Sequence, residues 1–253
     1  MISEPFATGD SRLHRLDPRI RLIAAAGFSI VAALCRAFPA LFAALAVALA
    51  LAALARLPFK AVAGRLLIVN SLVLFLWLVI PFTFPGEAAF TLGGLQASRE
   101  GLAVAAQITL KSNGIIMALM ALVATMPVAT AGHALNRLRV PAKLVYLLLM
   151  TYRYIFVLEQ EYQRLSRAAR IRGFAPGTNL HTYRTYAYLV GMLIVRAAER
   201  AERVHWAMIC RGFKRRFYSL QEFKADPGST VFSILMAASV LGVAALELRA
   251  RAG

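Results

Sequence analysis

Five long apolar runs constrain this chain more than any other feature of its sequence. They cover residues 22–35, 37–55, 66–86, 101–132 (with Lys111 as one charged interruption) and 227–246. About 20 apolar residues cross a bilayer core, so four runs are long enough. The first becomes long enough if the side chains of Arg19 and Arg21 reach back to the interface. The sequence therefore predicts an all-α, polytopic membrane protein with about five transmembrane helices.

The composition agrees with this interpretation. Hydrophobic residues make up 60% of the 253 residues, and charged residues only 16%, against about 25% in an ordinary soluble domain. Two shorter apolar runs, 144–150 and 185–195, are too closely flanked by charge to be predicted as crossings. Residues 1–18 have no apolar core of the kind found in a signal peptide, so we expect no cleaved leader.

Basic residues are concentrated in particular loops. The net charge is +17, and residues 151–216 contribute +9 of it, from 13 Lys and Arg against 4 Glu. The positive-inside rule places the N-terminus, the 56–65 loop and residues 133–224 in the cytoplasm. Five crossings predict a C-terminus outside the cell, whereas the basic C-terminal sequence LRARAG favours a cytoplasmic one. The side of the membrane on which the C-terminus lies therefore stays open.

These observations divide the chain into three parts. We predict an N-terminal transmembrane bundle over 1–143, a cytoplasmic region over 144–226, and a C-terminal transmembrane helix over 227–253. The cytoplasmic region has a helical pattern in two stretches of about 25 residues, separated by the breaker cluster APGTNLHTYR. Both stretches begin apolar, become basic and end in Arg-Gly-Phe.

The two ends repeat a longer motif. It reads RLSRAARIRGF at residues 164–174 and RVHWAMICRGF at 203–213. A basic residue in the last helical turn, a glycine just after it and then an apolar residue make a good helix C-terminus, which explains Gly173 and Gly212 without any further function. A helix C-terminus does not, however, require the same alanine and the same upstream arginine in both copies.

The repeated positions fall on one face of each helix. Arg164, Ala168 and Arg172 are spaced by four, as are Arg203, Ala207 and Arg211. We expect Ala168 and Ala207 to permit a close helix crossing, between the two stretches or with another helix. Arginine suits directional contacts to acidic grooves, so two such tips fit a partner with two equivalent docking sites.

In this order and topology, the motifs resemble those of the transmembrane T component of energy-coupling factor transporters, a branch of the ATP-binding-cassette importers. That family carries two Ala-Arg-Gly-type tripeptides at the ends of two cytoplasmic coupling helices, which here read Ile171-Arg172-Gly173 and Cys210-Arg211-Gly212. The first residue of each triplet departs from alanine. The segment LHRLDPRIRL, residues 13–22, is similar to the cobalt-type and nickel-type members.

The resemblance implies a non-catalytic coupling subunit of a bacterial inner (plasma) membrane importer. Arg172, Gly173, Arg211 and Gly212 would dock two ABC-type ATPase subunits, with Arg164 and Arg203 as secondary docking residues. A separate integral membrane subunit would bind the substrate, Co²⁺ in cobalt-type members. The chain itself would bind no cofactor, because ATP and Mg²⁺ would lie on the ATPase. Its other contacts would be membrane lipids, and no nucleic acid.

Several other activities lack the residues they need. None of the five lysines follows glycine, which excludes a Walker A motif. The four histidines, at 14, 133, 181 and 205, have no metal-ligand spacing, so we expect no metal site. HExxH and GxSxG are absent, so the sequence offers no sign of a membrane hydrolase.

Two alternatives and one residue stay open. A stand-alone channel or secondary carrier would need inverted repeats or several midplane polar residues, which the sequence does not display beyond Lys111, Ser112 and Asn113. A surface for anionic lipid or RNA is permitted by charge, although glutamates interleave with the bases. Lys111 is either a functional intramembrane charge or part of a polar pocket near Asn113, created by a re-entrant turn or a late helix start.

Overall fold

The computed structural model of this protein describes residues 11–84, 88–92, 95–214 and 227–252, and helices make up most of this chain. The helices are α1 (Pro18–Leu34), α2 (Phe38–Leu54), α3 (Phe59–Thr83), α4 (Arg99–Leu122), α5 (Val128–Arg137), α6 (Ala142–Ile171), α7 (Leu180–Cys210) and α8 (Pro227–Ala252). One antiparallel hairpin, β1 (Ala88–Leu92) and β2 (Leu95–Ser98), joins α3 to α4. The predicted all-α, polytopic class is confirmed, with this hairpin as an unforeseen addition.

Three helices of the described chain are long and apolar enough to cross a membrane, namely α3, α4 and α8. Helix α2 is apolar throughout but has 17 residues. Helix α1 also has 17 residues, and Arg19 and Arg21 lie in its first turn. The protein is therefore a membrane protein, and α1 and α2 are the two shortest of its five predicted crossings.

The long run 101–132 is not one helix. Helix α4 ends at Leu122 and α5 begins at Val128, just after Pro127. Proline has no backbone N–H and disfavours helical backbone in the residue before it, so it ends one helix and begins the next. The Pro127 carbonyl accepts the N–H of Ala131 at 3.0 Å, which closes the first turn of α5.

The chain forms two compact units. Within the described residues, one unit comprises 11–84, 88–92, 95–134 and 227–252, and the other comprises 135–214. The borders predicted from the sequence, after residues 143 and 226, concern membrane and cytoplasmic location and stay predictions.

The core of the first unit is rich in alanine. Helices α1, α2, α4 and α8 pack around a cluster of buried residues that includes Ala25, Ala40, Ala44, Ala48, Ala118 and Ala121. Small side chains let helix backbones approach closely where lipid offers no hydrophobic driving force between helices. Gly101 marks a close approach of α4 to α3, because an added Cβ would lie 2.8 Å from the Cα of Pro81 in α3.

A buried arginine joins α1 to the end of α4. Arg21 is 1% exposed, and its Nε donates to the carbonyl of Leu122 at 3.0 Å. Its Nη2 contacts the hydroxyl of Thr125. The last carbonyls of a helix have no partner within the helix and carry partial negative charge, so they suit a cation.

At the opposite end of α1, side chains of α8 hold the turn into α2. The carboxylate of Glu247 accepts the backbone N–H groups of Arg36 and Ala37, each at 2.9 Å. The same carboxylate accepts Arg251 Nε at 2.8 Å, and Arg251 also donates to the carbonyl of Leu34 at 3.2 Å. The basic C-terminal sequence therefore has local partners in the structure.

Helices α1 and α8 run parallel. At their starts, the backbone N–H of Asp17 donates to the hydroxyl of Ser229 at 3.0 Å. At their ends, Glu247 binds the turn that follows α1. The C-terminal end of α8 thus lies at the membrane face opposite to the start of α1.

Lys111 lies within an unbroken α4, so the predicted re-entrant turn or late helix start is wrong. Its amine donates to the carbonyl of Ala33, in the last turn of α1, at 3.0 Å. Asn113 instead binds Asn70 of α3 at 3.1 Å. The charge is thus bound to a helix C-terminus, which carries partial negative charge.

Candidate functional site: two arginine-tipped helices

Helices α6 and α7 carry the repeated motif. They have 30 and 31 residues, longer than the 25 expected, and are about 45 Å long at 1.5 Å per residue. Helix α7 begins at Leu180, inside the segment 175–184 that the sequence predicted to separate the two helices, so the connection is shorter than predicted. The side chain of Asn179 accepts the N–H of Thr182 at 2.8 Å and caps that start.

At the end of α6, the backbone reverses at Gly173. The φ angle of this glycine is +84°, in the left-handed region that favours glycine. Its N–H donates to the carbonyl of Arg170 at 3.0 Å, and the N–H of Phe174 donates to that of Ala169 at 3.1 Å. These two bonds define a Schellman motif with Arg172 as the last residue before the reversal.

The end of α7 has the same geometry. Gly212 has a φ of +78°. The N–H of Gly212 donates to Ile209 at 2.9 Å, and the N–H of Phe213 donates to Met208 at 3.0 Å. Arg211 therefore occupies the position equivalent to Arg172, so the repeated sequence makes two structurally equivalent tips.

The four motif arginines differ in their ionic partners. Arg164 lies 3.6 Å from a carboxylate oxygen of Glu161, and Arg203 lies 3.9 Å from one of Glu199. Within the described residues, the exposed side chains of Arg172 and Arg211 have no carboxylate within 4 Å. Among the four, the two tip guanidiniums are thus the ones without an ionic partner in this part of the chain, whereas the side chains of Arg164 and Arg203 are paired but 66% and 67% exposed.

Ala168 and Ala207 do not join the two helices. Both side chains are exposed. Neither residue is covered by the other helix of the pair. A close approach of a partner's helix at Ala168 and Ala207 stays a prediction.

The two helices are antiparallel. Near the end of α6, the ring of Phe174 lies 5.7 Å from that of Tyr186, close to the start of α7. After the end of α7, the ring of Phe213 lies 6.5 Å from that of Tyr146, close to the start of α6. The tips consequently lie at opposite ends of the pair, and each phenylalanine packs against the neighbouring helix.

A glutamate that we did not single out from the sequence is buried between these helices. Glu161 is 8% exposed and is bound by Arg196 of α7. This hydrogen bond, reinforced by the charges of Arg196, Arg164 and Arg200, holds the pKa of the carboxyl below its usual range. The sequence contained a signal, since Glu161 shares a helical face with Leu158 and Leu165.

An apolar groove lies between α6 and α7. Its volume is about 830 Å³, and residues 142–158 of α6 and 197–213 of α7 line it. Tyr146, Leu147, Met150 and Met208 are among the lining side chains, and Lys143 and Arg200 also border it. We name this cavity the α6–α7 groove. The described residues contain no group of three or more potential metal ligands.

The sequence matches a family model described as "Cobalt transport protein", CbiQ, over residues 9–220. A Bacillus subtilis protein, "Energy-coupling factor transporter transmembrane protein EcfT", is 27% identical over 95% of this chain and 97% of its own length. The protein of that name from Leuconostoc gelidum is 28% identical over 83% and 82%. "Cobalt transport protein CbiQ" from Rhodobacter capsulatus is 30% identical over 48% of this chain and about half (49%) of its own length.

Proposed function

Because the chain belongs to the cobalt transport protein (CbiQ) family and is a T component of an energy-coupling factor transporter, we propose that it passes ATP-driven motion to a separate substrate-binding membrane subunit. In this proposal the chain is a non-catalytic coupling subunit. Two ABC-type ATPase subunits bind ATP and Mg²⁺, and each of these subunits receives one helix tip.

The observation that carries the proposal is the equivalence of the two tips. Gly173 and Gly212 reverse the chain in the same way, and each follows an exposed arginine with no carboxylate partner in the described chain. A pair of equivalent tips suits a pair of equivalent grooves. The planar guanidinium of Arg172 or Arg211 donates several directed hydrogen bonds to carboxylate or carbonyl oxygens in such a groove.

The mechanism we propose follows from the helix geometry. When the ATPase pair closes on ATP, its two grooves approach each other and pull on Arg172 and Arg211. Because the tips lie at opposite ends of an antiparallel pair, this movement changes the angle or the register between α6 and α7. The Schellman hydrogen bonds keep each arginine at a fixed position on its helix, so the pull reaches the helix instead of being lost in a flexible end.

The α6–α7 groove is the surface we propose for the substrate-binding subunit. It is lined mainly by apolar side chains, and its neighbours Leu144 and Leu147 are 57% and 58% exposed. A membrane helix of a partner would cover this surface, and a change in the α6–α7 angle would then tilt that partner. Lipids would contact the remaining exposed apolar faces, including that of α3.

For the substrate we propose Co²⁺, in a bacterial inner membrane. The family description and the Rhodobacter capsulatus relative both carry the word cobalt. The better-covered Bacillus subtilis and Leuconostoc gelidum relatives carry no substrate in their names. The ion would be held by the partner subunit.

A pull-down tests the proposal directly. The tagged chain is purified in mild detergent from its native membrane, and the accompanying proteins are identified. We expect ABC-type ATPase subunits together with a small membrane protein. Arg172→Glu combined with Arg211→Glu should remove the ATPases, because each tip would then carry the charge of the groove that it docks.

The matched control is a pair of charge reversals away from the tips. Arg167→Glu and Arg184→Glu change exposed arginines of α6 and α7 and leave both tips intact. The control should retain the ATPases. Retention of the ATPases by the tip variant, or purified protein that transports alone without any ATPase, contradicts the proposal and favours a self-sufficient carrier.

A further inference from the structure

The contact between α6 and α7 has little apolar packing to fix it. In α6 the buried residues are Val145 and Glu161, and in α7 they are Thr182 and Leu189. The α6–α7 groove occupies the space where residues 142–158 and 197–213 face each other. Apolar contact is non-directional, so an interface this thin would let the helices slide along each other unless something else held them.

Glu161 supplies the directional contact that the apolar residues lack. One carboxylate oxygen, Oε1, accepts Arg196 Nη1 of the opposite helix, and the other, Oε2, lies 3.6 Å from Arg164 Nη1 of its own helix. Arg200, one helical turn beyond Arg196, adds positive charge on the same side of α7. An arginine–carboxylate pair fixes both distance and orientation. Glu161 is the buried partner, with 11% of its side chain exposed, and 45% of the Arg196 side chain is exposed.

We propose that Glu161 is a positioning residue that fixes the point at which α6 and α7 meet, so that movement of one tip turns the pair instead of sliding one helix past the other. This inference rests on the proposed coupling function and identifies a residue through which that function acts. Glu161 lies ten residues before Ile171, so it acts through the helices and not by touching the ATPase.

The position on the chain supports this role. Glu161 is followed by about 10 residues of α6 before the tip, and Arg196 is followed by about 14 residues of α7, so each tip lies some 15–21 Å from the contact. The two distances from the Glu161–Arg196 contact to the helix tips are therefore similar. On α6 the α6–α7 groove is lined by residues that precede Glu161, on the side away from the tip, whereas on α7 it is lined by residues between Arg196 and the tip.

The test uses the complete complex in proteoliposomes and measures ATP hydrolysis and uptake together. We expect Glu161→Gln to retain the ATPase subunits and hydrolysis within about twofold of wild type, while uptake falls roughly tenfold. Glu202→Gln, the same change at an exposed position of α7, is the control and should match wild type. Arg196→Gln, which leaves Glu161 beside Arg164, is a second variant and should show the same loss of uptake.

The charge swap distinguishes positioning from general damage. Glu161→Arg combined with Arg196→Glu rebuilds the pair in reverse and should recover at least half of the lost uptake, whereas Glu161→Arg alone should not. Full uptake in both Glu161→Gln and Arg196→Gln, or no recovery in the swap, overturns the inference while leaving the proposed function intact. Failure of wild-type uptake to depend on the ATPase would instead refute the proposed function itself.

A distance measurement reports the positioning without any activity. Ile171 and Cys210 precede the two tip arginines, and both are exposed, whereas Cys35 is buried. Spin labels on Ile171→Cys and on the native Cys210 then report the separation of the tips by pulsed dipolar spectroscopy. We expect a narrow distribution in wild type and a broad one in Glu161→Gln, and equal widths in the two proteins would overturn the inference.

Discussion

The two tip glycines have backbone φ angles that residues with a side chain rarely adopt. Gly173 is at +84° and Gly212 at +78°, and both have open space where a Cβ would lie. Alanine at either position is therefore costly for conformational reasons alone, by about 1 kcal/mol. We predict that Gly173→Ala and Gly212→Ala each lower the thermal unfolding temperature in detergent and weaken ATPase binding.

Gly191 provides the matched control for this prediction. It lies inside α7, and an added Cβ there also meets nothing within 4 Å. Alanine is favoured over glycine in a helix interior by roughly 0.5–1 kcal/mol, so Gly191→Ala should raise the unfolding temperature. A decrease with Gly191→Ala, or no change with both tip variants, would show that the backbone conformation does not control tip stability.

At this scale the sequence predicted the tips better than the contacts between helices. Arg172-Gly173 and Arg211-Gly212 lie at helix ends because a basic residue followed by glycine is a local signal. The crossing expected at Ala168 stays a prediction, because helix spacing identifies a face but not what covers it. Glu161 was missed for the opposite reason: a glutamate among arginines looks like an exposed charge until its burial by another helix is known.

At the scale of the helix pair, the charge on Glu161 gives the contact a pH dependence. Its pKa is lowered, mainly by the hydrogen bond from Arg196, so the folded protein binds this proton less tightly than the unfolded chain does. The stabilisation is therefore complete above the ordinary carboxyl pKa of about 4.3 and is lost as the pH falls through the lowered value. The charged groups that face Glu161 are the guanidiniums of Arg164, Arg196 and Arg200.

We predict that the distance distribution between labels at 171 and 210 is unchanged from about pH 8 to about pH 5 and broadens only below about pH 4. The expected broadening follows protonation of Glu161, so Glu161→Gln should be broad at every pH. A change in the wild-type distribution near neutral pH would mean that another group controls the contact.

Element boundaries were predictable where a local signal decides them. Pro127 divides a run that hydropathy alone presents as continuous, and the residue before a proline is a general boundary signal. The hairpin between α3 and α4 was not predicted, because its strands have only five and four residues, and an alternation as short as that of LQAS is a weak signal. The lengths of α6 and α7 were underestimated, since polar residues such as those around His181 are compatible with both a helix start and a loop.

At the scale of the whole chain, the parallel arrangement of α1 and α8 bears on the question that charge left open, because it predicts that the C-terminus lies on the side opposite to the start of α1. Asp17 meets Ser229 at one end, and Glu247 meets the α1–α2 turn at the other. The basic residues after Leu246 favoured a cytoplasmic C-terminus only if their charges were unpaired. Arg251, however, donates hydrogen bonds to the carboxylate of Glu247 and to the carbonyl of Leu34. Pairing between distant helices is information that a hydropathy profile does not contain.

We predict that the C-terminal end of α8 and the start of α7 are accessible from opposite sides of the membrane. Leu248 and Leu180 are 68% and 83% exposed, so Leu248→Cys and Leu180→Cys suit a membrane-impermeant maleimide, each in a background where Cys210 is replaced by serine. In intact cells, Leu248→Cys should react and Leu180→Cys should react only after permeabilisation. Reaction of both, or of neither, before permeabilisation would contradict the parallel arrangement or the cytoplasmic location of α7.

The central claim is that the arginine tips bind the ATPase, and crosslinking from Cys210 tests it most directly. Cys210 is exposed and adjoins Arg211, while Cys35 is 1% exposed, so a photoreactive maleimide labels the tip selectively. In the assembled complex we predict an adduct between this chain and an ATPase subunit. The same probe on Ile194→Cys with Cys210→Ser, about 24 Å away along α7, should give none. An intact complex without an ATPase adduct from Cys210, or with equal adducts from both positions, would contradict the claim.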